Sequence, residues 1–472
     1  MDRKTKIVCT IGPASRSRKT IEKLARAGMN VARINLSHGT LAEHGKVIRD
    51  IRDVARTLNL PIAILLDLPG PKIRTGALEN SKITLKEEGT FSIVRENIKG
   101  DETKVSVNYP SFFKDVRAGN SIFVNDGAIE LKVISASASK VQCRVIVGGE
   151  LTENKGVNLP GVRLNLPSTI NANLEQMAFG VEQGVDFFAI SFVRSAADIA
   201  ERRRFLHQMG VHIPLIAKIE KHEAVKNIDN IVREADGIMV ARGDLGIEMP
   251  LAEVPIIQKS IIRKCNNVGK PVIVATQMLE TMITMARPTR AEVSDVANAI
   301  FDGADAVMLS GETAAGKYPV QAAEMMANIA TETEAALPYE QILIEKRRHA
   351  LAQTDDAISY AACAISQQIG ATCIVAYTRT GSTALRVSKY RPKATILAIT
   401  PDERILRRLA LSWGIQPYLA RAPKNVDVLF QEAARLSVRT NLAKSGDFIA
   451  VTAGIPMGVP GSTNIIKVHR ID

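Results

Sequence analysis

Short runs of β-branched and aliphatic residues alternate with longer amphipathic stretches along most of the chain. Taking strands as short apolar runs and helices by a 3.6-residue period predicts strands at 6–10, 30–35, 62–67, 187–192, 214–219, 237–242, 271–275 and 306–309. Helices are predicted at 17–27, 41–58, 173–183, 196–209, 222–227, 254–268, 291–301 and, after the last strand, 319–334. Eight strands and eight helices in βα order predict an α/β fold, a (β/α)8 barrel, because each right-handed βα unit buries one parallel strand under its helix.

Two regions depart from this rhythm. Between Pro69 and Pro167 the pattern is short strands and glycine turns, at 81–84, 90–93, 104–107, 121–123, 130–134 and 140–147. A stretch of strand period inside a βα array predicts an inserted β-domain. Lying after the third strand, it overhangs the C-terminal mouth of the barrel as a lid. After about 337 a new α/β unit starts: helix 355–368, strand 373–377, helix 382–390, strand 395–399, helix 426–440, then strands 448–452 and 464–468 around a glycine- and proline-rich loop. The expected division is 1–69 barrel, 70–166 lid, 167–340 barrel and 341–472 C-terminal domain.

Composition fits this plan. The 472 residues are 46% hydrophobic and 23% charged, ordinary for globular chains and unlike disordered ones. Aromatics make up only 4%, with one tryptophan, so the cores are aliphatic. Five cysteines, Cys9, Cys143, Cys265, Cys363 and Cys373, share no CxxC spacing, which predicts buried thiols in a reducing compartment. The first ten residues lack a secretory apolar region, and no apolar run approaches the roughly 20 residues of a membrane span. A cytoplasmic protein with no membrane partner is expected. The net charge of +12 raises the question of nucleic acid. From Gln341 to Asp472 there are 18 Lys+Arg against 9 Asp+Glu, so most of the excess lies in the last domain. That domain has no run of like charge and no evident aromatic stacking platform, which argues for a basic folded domain and against a nucleic-acid arm.

Residues at the C-terminal ends of barrel strands face the active site. Strand two ends in Arg33, Asn35, Ser37 and His38, and strand three in Asp67, with Lys72 and Arg74 following. Strand five ends in Lys218 and Glu220, strand six in Arg242, Gly243 and Asp244, strand seven in Thr276 and Gln277, strand eight in Ser310, Gly311 and Glu312. Each has an ordinary reading alone: Lys218 and Glu220 as a solvated edge, Asp244 as a turn cap, Arg33 with Asp67 as a structural ion pair, 310–313 as a helix cap. Six strand ends carrying such groups together point instead to a site for phosphate and a hard divalent metal.

These residues sit in segments that resemble the pyruvate kinase family from end to end. The segments are Cys9-Thr-Ile-Gly-Pro-Ala-Ser15, Asn30-Val-Ala-Arg-Ile-Asn-Leu-Ser-His-Gly39, Leu66-Asp-Leu-Pro-Gly-Pro-Lys-Ile-Arg-Thr-Gly76 and Lys155-Gly-Val-Asn-Leu-Pro-Gly161. Also matching are Ala217-Lys-Ile-Glu220, Met239-Val-Ala-Arg-Gly-Asp-Leu-Gly246, Ala275-Thr-Gln-Met278 and Met308-Leu-Ser-Gly-Glu-Thr313. The resemblance implies a TIM barrel with a β-barrel lid and a C-terminal regulatory domain. It implies phosphoryl transfer from phosphoenolpyruvate to ADP, giving pyruvate and ATP, in a cytoplasmic homotetramer. Glu220 and Asp244 are implied ligands of Mg2+ or Mn2+. Lys218, Arg33 and Arg74 would hold the moving phosphoryl, and Gly243, Asp244 and Thr276 would contact the substrate. Thr276, backed by Ser310 and Glu312, is the candidate relay for protonating the enolate. Thr10, Pro13, Arg33, His38 and Lys155 are implied nucleotide contacts, with Asp126 on the lid.

Potassium-activated members use residues equivalent to Asn35, Ser37, Asp67 and the Leu68 carbonyl, with a glutamate where this chain has Lys72. The Lys72 ammonium is expected to make K+ dispensable. The loop Thr378, Arg379, Thr380, Gly381, Ser382 and Thr383 leads from a strand into a helix; it reads equally as an N-cap turn or a phosphate cradle. In the family it binds phosphorylated effectors, here a sugar phosphate or AMP. The chain ends at Asp472 with no expected phosphotransfer-like extension. Two rivals are another metal-dependent barrel acting on an enolate and a basic RNA- or phosphate-binding module in the last 132 residues.

Overall fold

The computed structural model describes residues 3–70, 72–125, 127–162, 170–456 and 463–472. Eight parallel strands close into a barrel: Lys6–Thr10, Val31–Asn35, Ala63–Leu68, Phe187–Ile190, Leu215–Ile219, Gly237–Ala241, Val272–Ala275 and Ala306–Leu309. Closure comes from the first strand pairing with the last, Lys6 beside Ala306 and Cys9 beside Leu309. Each strand lies within one residue of its expected ends except the fourth, which stops two residues short, at Ile190. Strand side chains are buried on both faces, one face packing on the helices and the other filling the barrel with Val8, Leu65, Ile216, Met239 and Ile273. This two-sided burial is why the strands read as continuous apolar runs and not as alternating ones.

Local chemistry sets the helix ends. Thr40 opens Leu41–Leu58 with a reciprocal capping box to Glu43, and Thr289 does the same for Arg290–Phe301 through Glu292. The helix expected at 222–227 is two, His222–Lys226 and Ile228–Glu234.

The lid joins a two-stranded sheet, Lys82–Leu85 with Gly149–Thr152, to a seven-stranded one in the order Ile73–Arg74, Gly156–Asn158, Ser121–Val124, Ile129–Ala136, Lys140–Val147, Thr90–Val94 and Lys104–Ser106; the seven-stranded sheet is the larger part. A bridge between Thr75 and Val107 brings its two edges together, as in the expected β-barrel. Its core, from Ile73 to Leu159, is separate from that of the barrel. The expected boundary at 166/167 lies outside the described residues, as does Asp126.

The C-terminal sheet runs Ile415–Leu419, Thr395–Thr400, Cys373–Tyr377, Phe448–Gly454 and Thr463–Arg470, parallel except for the last strand. It docks on the N-terminal end of the barrel. Arg391 grips Asp305 with both Nη1 and Nη2 at 2.9 Å, Lys6 Nζ donates to Ile415 O at 2.7 Å, and Arg407 Nε donates to Asp186 at 2.8 Å. All five cysteines are free and buried, and burial pushes the Cys9 and Cys143 thiols up to about 12. Among the described residues no helix is long and apolar enough to cross a membrane.

Candidate active site

At the C-terminal mouth, Asp67 is the hub of a buried charge network. Its Oδ2 accepts from Arg33 Nε at 2.8 Å and pairs with Nη2 at 2.7 Å. Its Oδ1 accepts from Ser191 Oγ at 3.2 Å and Lys218 Nζ at 3.3 Å. Lys218 Nζ also donates to Ser191 Oγ at 2.7 Å and pairs with Glu220 Oε1 at 2.9 Å. Glu220 Oε2 accepts the Phe192 N–H at 2.6 Å. Two cations and two carboxylates, from strands two, three and five, thus share one site with less than a tenth of any of them exposed.

Burial alone would neutralise these groups. For Asp67 burial pushes the carboxyl up, but Lys218 and Arg33 outweigh it and hold the group below its ordinary range. For Lys218 burial pulls down, and Asp67 and Glu220 reverse this, so the ammonium keeps its proton more firmly than an exposed lysine. Glu220 goes the other way: burial, reinforced by the negative charge of Asp244, raises it despite Lys218.

Asp244 lies in the first turn of the short helix Arg242–Glu248. Its carboxylate makes no hydrogen bond or ion pair among the described residues, while Glu220 nearby is loaded with its repulsion. An unpartnered carboxylate facing a buried one whose charged form is disfavoured suits a hard cation. No group of three or more His, Cys, Asp and Glu is found among the described residues. Two carboxylates match Mg2+, which takes its other oxygens from waters and substrate phosphates.

Ser191 and Phe192, just past strand four, are the members of this network that the sequence reading missed. That strand carries no charge, so a serine after Phe-Phe-Ala-Ile was the sole signal. Phe192 has φ 54°. A Cβ on Gly70 would lie 1.9 Å from Phe192 Cδ2, so a glycine is needed where the chain leaves strand three.

On the other side, Thr10 Oγ1 accepts from Arg33 Nη1 at 3.0 Å and donates to Leu309 O at 2.9 Å, tying strands one, two and eight together. Thr276 Oγ1 accepts the Gly243 N–H at 2.7 Å and donates to Ala275 O at 2.5 Å. Behind it the fully buried Glu312 accepts from the N–H groups of Leu279 (3.0 Å) and Ser310 (2.7 Å), so it serves the backbone of two strand ends. Ser310 Oγ is buried without a partner.

The remaining predicted residues gather elsewhere. Arg74 points to the lid hinge, with Nη1 on Asn154 O at 3.0 Å and its N–H on Asn108 Oδ1 at 2.8 Å. Lys155 N–H donates to Thr75 Oγ1 at 2.9 Å, and Lys72 runs along Gly156. These three therefore sit where the two chain crossings enter the lid, outside the Asp67 ion pairs. Asn35 Oδ1 accepts the Ser37 N–H at 3.1 Å, and the Leu36 N–H meets Asp67 O at 3.1 Å, so the residues expected to form a monovalent-cation site, with Leu68, are local to one corner. Pro13 and His38 are exposed beside it, the His38 carbonyl bonded to His44 Nε2 at 2.8 Å.

The C-terminal loop has the geometry of a cradle. Gly381, at φ 91°, donates its N–H to Thr378 Oγ1 at 2.8 Å, and Thr383 Oγ1 meets Thr463 Oγ1 at 2.7 Å. Thr380 and Ser382 hydroxyls are 3.2 Å apart, and Arg379 has no hydrogen bond or ion pair among the described residues. A cavity of about 750 Å³ extends from Arg379–Ser382 to the barrel floor at Lys270 and Phe187.

Residues 2–323 match the profile of the pyruvate kinase barrel domain, and residues 356–469 that of the pyruvate kinase alpha/beta domain. The chain belongs to the pyruvate kinase family. A pyruvate kinase of Geobacillus stearothermophilus is 49% identical, with 100% of this chain and 81% of that protein aligned. One from Staphylococcus aureus (strain MRSA252) is 46% identical over 99% of this chain and 80% of the relative. A crystal structure of a pyruvate kinase from Cryptosporidium parvum superposes with a TM-score of 0.94 at 36% identity, covering 100% of this chain and 97% of that one. The pyruvate kinase fold is thus present with barrel, β-domain and C-terminal α/β domain, and the chain is an enzyme of the phosphotransferase class.

Proposed function

We propose that this enzyme transfers the phosphoryl group of phosphoenolpyruvate to ADP, giving pyruvate and ATP. The observation that carries the reading is Lys218, held protonated between Asp67 and Glu220 beside the unpartnered carboxylate of Asp244. A transferring phosphoryl group spreads charge over its equatorial oxygens, and catalysis is mainly positioning and neutralisation. Lys218 and Arg33 supply fixed positive charge at the mouth, kept rigid by Asp67 and Ser191. Glu220 and Asp244 would hold Mg2+ or Mn2+, which supplies charge neutralisation at the phosphate oxygens. The substrate carboxylate takes the Gly243 N–H, now donated to Thr276, and the Thr276 hydroxyl turns its proton from Ala275 O toward the enolate carbon. Ser310 stands behind it as a relay partner. Arg74 and Lys155 reach the nucleotide phosphates when the lid closes, with Thr10, Pro13 and His38 on the barrel side.

The test is Lys218→Met. Pyruvate formation should fall by about 10²–10³-fold or more; near-normal turnover overturns the assignment. Lys72 provides the positive charge that K+ brings in other members, so turnover should be nearly the same with and without K+. Negligible activity in its absence would refute this. In the cytoplasm the enzyme would act as a homotetramer, and the 378–383 cradle with Arg379 would bind a phosphorylated effector, a sugar phosphate or AMP. Activation by such a compound should disappear in Arg379→Ala, while unaltered activation in this variant would remove the loop from regulation.

A further inference from the structure

Arg242 was expected among the polar residues of the mouth, yet its guanidinium turns sideways into the next strand end. Nη2 donates to Thr276 O at 2.8 Å, with Gln277 O at 3.3 Å and Met278 Sδ at 2.9 Å also within its reach. The guanidinium also pairs with Asp295, Nη1 with Oδ1 and Nη2 with Oδ2, both at 2.7 Å, and Nη1 reaches Gln258 at 3.5 Å. Asp295 belongs to helix Arg290–Phe301 and Gln258 to helix Val254–Val268, so the arginine is braced from two elements of the outer ring.

What it grips is unusual backbone. Thr276 and Gln277 both have positive φ, 71° and 54°, with no glycine to relieve either. Non-glycine residues in this region persist only where their surroundings over-determine them. The inversion turns the Thr276 and Gln277 carbonyls toward the guanidinium, and it leaves Thr276 Oγ1 against the Gly243 N–H at 2.7 Å. Arg242 and Gly243 are consecutive, so one short segment fixes the threonine twice, by its carbonyl and by its hydroxyl. Arg242 Nε is buried without a partner, so the clamp's return in stability is reduced by an unsatisfied donor.

We propose that Arg242 is a positioning residue: its clamp on the two left-handed residues aims the Thr276 hydroxyl at the substrate and thereby sets the rate of proton delivery to the enolate carbon. It touches no reacting atom. This rests on the reading of Thr276 given above. Without the guanidinium the two carbonyls lose their common donor, the positive φ angles relax, and Thr276 Oγ1 shifts from its place beside Gly243 and away from the substrate.

The experiment compares Arg242→Lys, Arg242→Met, Thr276→Val and the double variant Arg242→Met/Gln277→Gly in the full chain. For each, kcat and KM for phosphoenolpyruvate are measured, together with exchange of the pyruvate methyl hydrogens with solvent deuterium by NMR. That exchange reports removal and return of a proton at the methyl carbon. Arg242→Met should lower kcat and the exchange rate together by about 100-fold, the cost of a misplacement near 1 Å, with KM changed much less. Lysine retains charge but not the fork, so Arg242→Lys should recover only part of the loss. Glycine at 277 adopts positive φ without strain and should restore about tenfold in the double variant. If Thr276→Val slows exchange but Arg242→Met does not, the clamp has no role in proton delivery. An Arg242→Met loss that Gln277→Gly leaves untouched, or one confined to KM or to thermal stability, also overturns the proposal. If Thr276→Val itself leaves exchange at the parent rate, the reading of Thr276 fails instead.

Discussion

Phe192 links backbone strain to Glu220, a carboxylate proposed to hold Mg2+. Its N–H holds Glu220 Oε2, and its positive φ is possible because Gly70 leaves room for the ring. Gly70→Ala places a methyl 1.9 Å from that ring and must move it. The expected result is a 10–100-fold higher Mg2+ requirement, the usual cost of losing an outer partner of a metal ligand, read from activity against Mg2+ concentration. An unchanged Mg2+ curve would separate Phe192 from the metal site. Of the network around it, Arg33, Asp67, Lys218 and Glu220 were legible in the sequence because charges at strand ends stand out against apolar runs. Ser191 and Phe192 were not, since a hydroxyl and a backbone N–H carry no such contrast. Arg242 was seen but aimed wrongly, because sequence places a residue at a strand end without saying which way its side chain turns.

Among the elements, the barrel strands and most of its helices were legible because their buried runs and capping residues repeat. Three kinds of element were not. The two-residue strand Ile73–Arg74 is too short for any period, and Ile415–Leu419 is interrupted by Pro417 and half exposed. The helices Tyr339–Arg347 and Glu403–Leu409 are charged on most faces; the first buries only Leu343, and the second is tied to the barrel through Arg407 and Arg408. At the hinge, a Cβ on Gly156 would lie 2.5 Å from Lys72 Cε and 3.1 Å from Nζ. The far end of a lysine moves at little cost, so Gly156→Ala should leave the melting temperature nearly unchanged while displacing the ammonium. Activity should then rise on adding K+, by about tenfold for a charge moved a few ångströms at an effective dielectric near 20. The ratio of kcat with and without K+ checks this, and a ratio still at one would dissociate Lys72 from the cation corner.

For the molecule as a whole, the joint between barrel floor and C-terminal domain is ionic and buried. Asp305 receives both Nη groups of Arg391 and the Trp413 N–H at 3.2 Å. Asp305→Ala strands the buried guanidinium and should cost about 3–5 kcal/mol, seen as a lower denaturant midpoint for the barrel and C-terminal domain. The same joint makes stability depend on pH. Burial pulls Lys6 and Lys346 down to about 7, whereas the unfolded chain holds those protons up to an ordinary value near 10.5. Between these pH values the unfolded state binds more protons, so stability from these groups rises with pH and is lost as pH falls toward 7. Lys346→Met should flatten the slope of unfolding free energy between pH 7 and 10; an unchanged slope would exclude it as a source.

Barrel closure also has a consequence for synthesis. The first strand pairs with the second along one edge but finds the partner of its other edge only at Ala306, and the Lys4 and Thr5 N–H groups are bound by Glu334 at 2.7 and 2.6 Å. At roughly 5–20 residues per second, a ribosome needs about 15–60 s to make the intervening 300 residues. The lid core, complete between Ile73 and Leu159, needs nothing that comes later. On the ribosome, therefore, the inserted domain is free to fold first, while one edge of the oldest strand waits for the youngest strand of its barrel.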